Sequence, residues 1–227
     1  MSIVTGPDAP GERLGIRWAA MKRRPAWVLA GVLALACAAT GCSSGSSSSS
    51  SSSSTAAPPA GASGFDGAAL PPGVIAPAFT LTDQRGRSVS LAGHRGRVTI
   101  VAFVYSTCGA TCVVIAQQIR GALDELPRTV PALLITADPA ADTPARVRRF
   151  LSRVSLSGRV SYLSGDAAQL RRVWRAFRVT PASADRAAFD RTASVFLIDR
   201  AGRERVIYQL EQLTPEAVAH DVRKLLG

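Results

Sequence analysis

Apolar and polar residues alternate over Phe79-Thr80-Leu81-Thr82 and again over Ser88-Val89-Ser90-Leu91, with Asp83-Gln84-Arg85-Gly86 between them. A period of two on either side of a polar turn predicts a β-hairpin. Arg97 to Tyr105 (RVTIVAFVY) is almost continuously apolar, the pattern of a strand covered on both faces. Pro131 to Ala137 and Ala193 to Ile198 (ASVFLI) read the same way, and Val160 to Leu163 is a shorter case. Between them the period changes: Val113, Ile115, Ile119, Leu123 and Leu126 recur at helical spacing and predict a helix from Cys112 to Leu126. Thr143, with Pro144 at the first helical position, caps a helix running to about Val154. Asp166 caps another through Phe177, and Thr214 with Pro215 caps a last one ending near Leu226. Asp199-Arg200-Ala201-Gly202 turns the 193–198 strand into a final strand, Arg205 to Gln209.

The order is therefore hairpin, β-α-β-α-β-α, hairpin, helix. Buried strands alternating with helices predict an open α/β sheet, with the last hairpin adding an antiparallel edge. A length of 227 residues allows one domain with appendages, and a hydrophobic share of 47% excludes wholesale disorder. No apolar run reaches the roughly eighteen residues of a secure membrane span, which excludes a polytopic membrane protein. The formal charge is +11, and Lys22 and Lys224 are the only lysines. Such a charge can mark a nucleic-acid binder or simply solvated faces. The arginines are scattered and aromatic residues make up only 6%, so solvated faces are the better reading and no nucleic-acid partner is expected. There is no glycine-rich phosphate loop, Cys-x-x-Cys or His-Glu-x-x-His motif.

The first 64 residues look like an address and a tether. Met21-Lys22-Arg23-Arg24 is basic, an apolar stretch runs from Ala26 to about Thr40, and Gly41-Cys42 follows. These are the three regions of a secretory signal, and the apolar part is short enough to suit a signal better than a span. A start at Met21 gives a signal of ordinary proportions; residues 1–20 are then a long basic region or a misplaced start. Ala39-Thr40-Gly41-Cys42 resembles a bacterial lipobox, with Ala39 where leucine is commonest, and implies a diacylglyceryl group on Cys42. Cys37 is a weaker second candidate. Ser43 to Ser54 is almost pure serine and Thr55 to Gly64 is Ala/Pro/Gly/Ser, a composition that behaves as a flexible polar spacer. The expected organisation is signal and lipobox at 1–42, linker at 43–64 and a folded head at 65–227, held outside the cytoplasm on a bacterial cell membrane by the lipid.

Chemistry is expected at Cys108 and Cys112, in Tyr105-Ser106-Thr107-Cys108-Gly109-Ala110-Thr111-Cys112. This segment follows the first buried strand and opens a helix. Reactive groups collect at the carboxyl ends of strands in such sheets, and a helix N-terminus favours a thiolate. Three intervening residues set the two sulfurs about one turn apart, exposed at the tip of the sheet. At that separation they can form a disulfide or hold one soft ion such as Cu(I). The head has no other cysteine, so the two pair with each other or not at all. A plain structural disulfide, or two small buried side chains, is the alternative; a bridge closing so short a loop restrains little chain entropy.

Three segments give the head a resemblance. They are Phe103 to Cys112 (FVYSTCGATC), Asp138-Pro139-Ala140-Ala141-Asp142-Thr143-Pro144, and Asp190 to Asp199 (DRTASVFLID) with Gly202. In this order they resemble the Sco/SenC family of thioredoxin-fold proteins. A peroxiredoxin, the nearest rival, would show a Pro-x-x-x-Thr-x-x-Cys that is missing here. The resemblance implies an α/β thioredoxin-like fold, a central mixed sheet flanked by helices with an N-terminal β-hairpin. It also implies a membrane-anchored protein that binds copper through both cysteines and a histidine. Such a protein helps to metallate the copper centre of cytochrome c oxidase, and some members act mainly as thiol-disulfide reductants. The implied partners are a cytochrome c oxidase subunit or another extracytoplasmic thiol or copper protein.

Arg191 stands where the family has its copper-binding histidine, and Val113 where it usually has proline. Guanidinium offers a metal no lone pair. The two histidines do not replace it: His94 lies one strand away from Cys108, about 30 Å at roughly 3.3 Å per residue, and His220 sits in the last helix in a solvated or packed role. Two thiolates still suit Cu(I), whereas Cu(II), which prefers nitrogen, should suffer. A cation at Arg191 near the cysteines would favour their thiolates and shift weight toward redox chemistry. Asp138 and Asp142 read as turn and capping residues, and Trp174 and Phe177 as core. Three functions are distinguished: a copper-binding assembly factor, a thiol-disulfide oxidoreductase of thioredoxin type without copper, and a module that binds a partner without chemistry. The intact cysteine pair weakens the third.

Overall fold

The structure is a computed structural model that describes residues 63–227. The signal and lipobox expected at 1–42, with Cys42, and nearly all of the 43–64 linker lie outside the described residues. Among the described residues no helix is long and apolar enough to cross a membrane.

The elements are β1 (Ala68–Ala69), β2 (Thr80–Asp83), β3 (Ser88–Ser90), β4 (Thr99–Val104), α1 (Ala110–Glu125), β5 (Ala132–Thr136), α2 (Pro144–Arg153), β6 (Ser161–Ser164), α3 (Ala167–Ala176), α4 (Arg186–Thr192), β7 (Ser194–Ile198), β8 (Glu204–Gln209) and α5 (Pro215–Leu226). All eight strands join one sheet in the order β1-β8-β7-β4-β5-β6-β2-β3. β4, β5 and β6 run parallel, as their helical crossovers require, and every other pairing is antiparallel. The sheet is thus mixed and flanked by helices, as the family resemblance implied.

Every residue of β4, β5 and β7 is buried, so the three continuous apolar runs form the middle of the sheet. Val101 of β4 faces Phe196 of β7, which puts Phe196 on the same face as Phe103. Phe177, at the end of α3, covers both, with ring centroids 5.4 and 5.0 Å away. Trp174 hangs on the Thr136 carbonyl through its indole N–H at 2.8 Å, so both aromatics are core as expected. The hairpin β2–β3 docks on β6, and Gln84 extends that edge by donating to the Val160 carbonyl and accepting the Tyr162 amide.

The caps follow the sequence. Thr143 accepts the Arg146 amide, Asp166 and Gln169 form a reciprocal capping box, and Thr214 accepts the Ala217 amide. Gly121 of α1 lets α5 approach closely, since a Cβ there would meet the Pro215 ring at 2.8 Å. Three differences from the sequence reading matter. α1 begins at Ala110, two residues early. α4 was not expected; Asp185 caps it and Phe189 buries it. β1 adds a further strand beyond β8. The last hairpin adds an antiparallel arm to the sheet as expected, with β7 against β4.

Two turns carry the same device. Asp83 accepts the Arg85 and Arg87 amides and the Arg87 guanidinium, and Asp199 does so for Ala201, Arg203 and the Arg203 side chain. Burial by itself would raise both carboxyls, but these hydrogen bonds and charges outweigh it and hold both below the ordinary carboxylate value. Carboxyls depressed in the folded state add stability that is complete above their unfolded value of about 3.9 and is lost as pH falls through the folded one. The head should therefore lose stability below about pH 4, and Asp199→Asn should flatten that fall in a denaturant titration repeated across pH.

Candidate functional site

β4 and β5 end level with each other, Val104 opposite Thr136, so the loops that follow them leave the sheet side by side. The first carries the cysteines. Tyr105 is buried, the Cys108 amide donates to the Tyr105 carbonyl at 3.1 Å, and Gly109 starts α1. Cys108 and Cys112 are joined in a disulfide with their Cα atoms 5.7 Å apart, and the Cys112 amide points at Cys108 Sγ from 3.2 Å.

The sulfurs are not both exposed at the tip of the sheet, as the sequence had led one to expect. Cys112 is completely buried and Cys108 keeps 7% of its surface, between exposed Thr107 and Gly109. The early start of α1 is the reason: it puts Cys112 inside the first turn, on the face turned to the core with Ile115, Ala116 and Ile119. Of the pair, Cys108 thus keeps a small accessible surface and Cys112 none. No acidic residue lies in the first turn of α1 to oppose a thiolate there.

The second loop holds the first in place. Asp142 accepts the Ser106 amide on Oδ1 at 2.6 Å, and on Oδ2 the Thr136 and Tyr162 hydroxyls, each at 2.5 Å. Ser106 Oγ donates to the Ala141 carbonyl. Burial above all, and then the Asp142 charge, push the Tyr162 hydroxyl well above its ordinary value, so it remains a donor. Asp138 does the turn duty expected of it, accepting the Ala141 amide at 3.2 Å. Asp142 does not: it is a clamp that ties the cysteine loop to β5 and β6, a role the sequence did not disclose.

α4 closes the other flank. Phe189 meets Tyr105 edge-on at 5.4 Å and the Arg186 guanidinium stands 5.9 Å from the same ring. The helix bearing Arg191 therefore leans on the residue three positions before Cys108, with Arg191 itself exposed. The histidines lie elsewhere: Nδ1 of His94 is 3.0 Å from the Ser90 carbonyl, and Nδ1 of His220 sits between Asp66 and Asp221. Among the described residues, Asp66, His220 and Asp221 are the one group of three such ligand atoms within 4.8 Å of one another. Asp221 is already engaged by the Asp66 and Gly67 amides and the Tyr208 hydroxyl, so this cluster fastens the start of the head to α5. Among the described residues Cys108 and Cys112 have no third ligand of that kind at the same range.

A family model described as SCO1/SenC matches residues 68–227. The mitochondrial SCO2 homologue of Bos taurus is 33% identical over 108 residues, 44% of this chain and 39% of that protein. The chain spans half or less of the length of the curated relatives it matches. Among solved structures, copper-bound yeast Sco1 superposes with a TM-score of 0.52 at 20% identity, over 69% of this chain and 92% of that one. The thioredoxin domain of a thiol-disulfide oxidoreductase from Bacteroides vulgatus superposes with a TM-score of 0.54 at 16% identity, over 70% and 99%. The fold is thioredoxin-like.

Proposed function

The chain belongs to the SCO1/SenC family, and from that premise we propose that Cys108 and Cys112 are the working pair of a Sco-like protein acting outside the cytoplasm in assembly of the cytochrome c oxidase copper centre. The observation that carries this is the cysteine pair itself, bonded sulfur to sulfur at the start of α1 and the carboxyl end of β4. Its cargo is Cu(I). The disulfide holds no thiolate, so loading requires a two-electron reduction by an external dithiol, which supplies two electrons and two protons and is itself oxidised to a disulfide. Two thiolates one helical turn apart then suffice for a soft monovalent ion. The partners on this reading are a cytochrome c oxidase subunit or another extracytoplasmic thiol or copper protein. The lipid on Cys42, and with it the membrane location, rests on the sequence of residues 21–42.

A second reading, thiol-disulfide exchange without copper, is favoured by one observation: no third ligand accompanies the two sulfurs among the described residues. The Cys108 thiolate attacks a partner's disulfide, expelling one partner thiolate and forming a mixed disulfide. Cys112 then attacks Cys108 Sγ, expelling the second partner thiolate. This protein is oxidised by two electrons, the partner is reduced by two, and the two protons of the dithiol pass to the partner thiols.

Titrating the reduced protein with Cu(I) against a competing chelator separates the readings. One Cu(I) per chain is expected, lost in Cys108→Ser. Uptake unchanged in that variant overturns the site, and no uptake with disulfide exchange intact selects the second reading. Arg191→His should strengthen Cu(II) binding by supplying the missing nitrogen, read by titration of its visible absorption.

A further inference from the structure

We propose that the arginine-lined groove between α2 and the cysteine loop is a docking surface for an acidic segment of the protein that exchanges thiols or copper with Cys108; this rests on the reading of Cys108 and Cys112 as the working pair.

α2 is ten residues long and carries Arg146, Arg148, Arg149 and Arg153 with no acidic residue among them. Its apolar side is committed to the core. Val147, Phe150 and Leu151 are buried, and the Phe150 ring meets Tyr162 edge-on at 6.5 Å. The four arginines are consequently all turned to solvent. Among the described residues some arginines find carboxylates, Arg87 with Asp83, Arg120 and Arg159 with Asp124, and Arg203 with Asp199, while others, Arg171, Arg172 and Arg175 of α3 among them, do not; what sets the α2 group apart is its place beside the cysteine loop. Among the described residues, none of the α2 guanidiniums has such a partner. Arg146 spends one N–H on the Ala141 carbonyl and Arg153 stands 5.8 Å from the Phe150 ring, which leaves the charge of both uncompensated.

The position matters as much as the charge. Arg146, Arg149 and Arg153, with Phe150, line one side of a groove of about 620 Å³ whose other side is Ser106 and Thr107. Thr107 adjoins Cys108, the cysteine with residual exposure. A chain lying in the groove is therefore carried past the reactive atom. The guanidinium fork fits carboxylates in a bidentate manner, and unpaired arginines beside a reaction centre raise the encounter rate of acidic partners while slowing basic ones. A bilayer of anionic headgroups offers the same charge. Pressed on α2, however, it would cover Cys108 and shut out the partner, so an acidic polypeptide is the occupant that leaves the chemistry accessible.

The test uses the purified full chain, reduced, with three disulfide-bonded model peptides that differ only in flanking residues: glutamate, serine or arginine. Bimolecular exchange rates are read by thiol release, with hydroxyethyl disulfide as the uncharged probe. At low salt the glutamate peptide should react at least about tenfold faster than the arginine peptide, and the difference should collapse near 1 M salt, where the screening length is about 3 Å. Replacing Arg146, Arg149 and Arg153 together by glutamate should invert the preference, and replacing them by glutamine should abolish it. The same charge reversal at Arg171, Arg172 and Arg175 of α3 should leave it unchanged. Equal rates for all three peptides, with hydroxyethyl disulfide still reacting, overturn the docking surface and spare the cysteine pair. No reaction even with hydroxyethyl disulfide, together with no Cu(I) uptake, means that the cysteine reading itself has failed. Equal peptide rates combined with phosphatidylglycerol vesicle binding that the glutamate variant loses overturn the proposal in favour of a membrane.

Discussion

Replacing Cys108 by serine is expected to abolish disulfide exchange, whereas replacing Cys112 by serine is expected to stall it halfway. The asymmetry follows from burial: Cys112 has no exposed surface, so a partner's sulfur can reach Cys108 alone. In the reduced protein the α1 N-terminus and the Cys112 amide, which faces Cys108 Sγ at 3.2 Å, favour the thiolate at that position. Without Cys112 the first attack still occurs, but nothing resolves the product. Cys112→Ser should thus accumulate one mixed disulfide per chain, visible as a mass increase of one partner molecule that dithiothreitol removes. Cys108→Ser should form none and consume no disulfide above the uncatalysed background. The opposite outcome, with the adduct at Cys112 and none at Cys108, would mean that α1 opens before reaction and that the order of attack is reversed.

Asp142→Ala should damage both the stability of the head and the loop that carries Cys108. It leaves the Ser106 amide and the Thr136 hydroxyl without their acceptor, and the Tyr162 hydroxyl with only the Val104 carbonyl, 3.4 Å away. At about 1 kcal/mol or more for each of the two donors left unmatched, and less for the one left with a long bond, the loss is on the order of 3 kcal/mol. For a domain of this size that lowers the melting temperature by about 6–12 °C in scanning calorimetry. Tyr162→Phe removes one donor and spares the acceptor, so its cost should be about a third as large. The two variants should also differ in reactivity. Asp142→Ala frees the Ser106 amide and with it the loop that presents Cys108, and the exchange rate with hydroxyethyl disulfide should change. Tyr162→Phe leaves Ser106 bound, and the rate should stay at the wild-type value. Equal reactivity in all three proteins would reduce Asp142 to a stability residue.

What the sequence disclosed was the local chemistry. Thr143-Pro144, Asp166 with Gln169, and Thr214-Pro215 cap helices by contacts within a few residues, so the helix starts they mark are found where they were expected. The continuous apolar runs of β4, β5 and β7 announce burial on two faces. They carry no sign of direction; the turn at Asp199 to Gly202 supplies it for β7 and β8, which form the expected antiparallel hairpin beside β4. α4 was missed because its seven residues, RAAFDRT, contain a single buried side chain, Phe189, too few to make a period. At the site, the cysteine pair was plain from its spacing. The burial of Cys112 was not, because moving the helix start by two residues changes which way that side chain turns. Asp142 was unreadable for a different reason: its partners stand 36, 6 and 20 positions away, and only the level ends of β4 and β5 bring them together.

The fastening of the amino-terminal segment to α5 has a mechanical consequence. The Asp66 and Gly67 amides are gripped by Asp221, Lys224 donates to the Gly64 carbonyl, and Ala68–Ala69 zip onto β8. A pull arriving along the chain ahead of Ser63 is borne by the last helix and an outer strand. Since α5 packs on α1 where Gly121 faces Pro215, such a load is shared with the helix that opens at the cysteines.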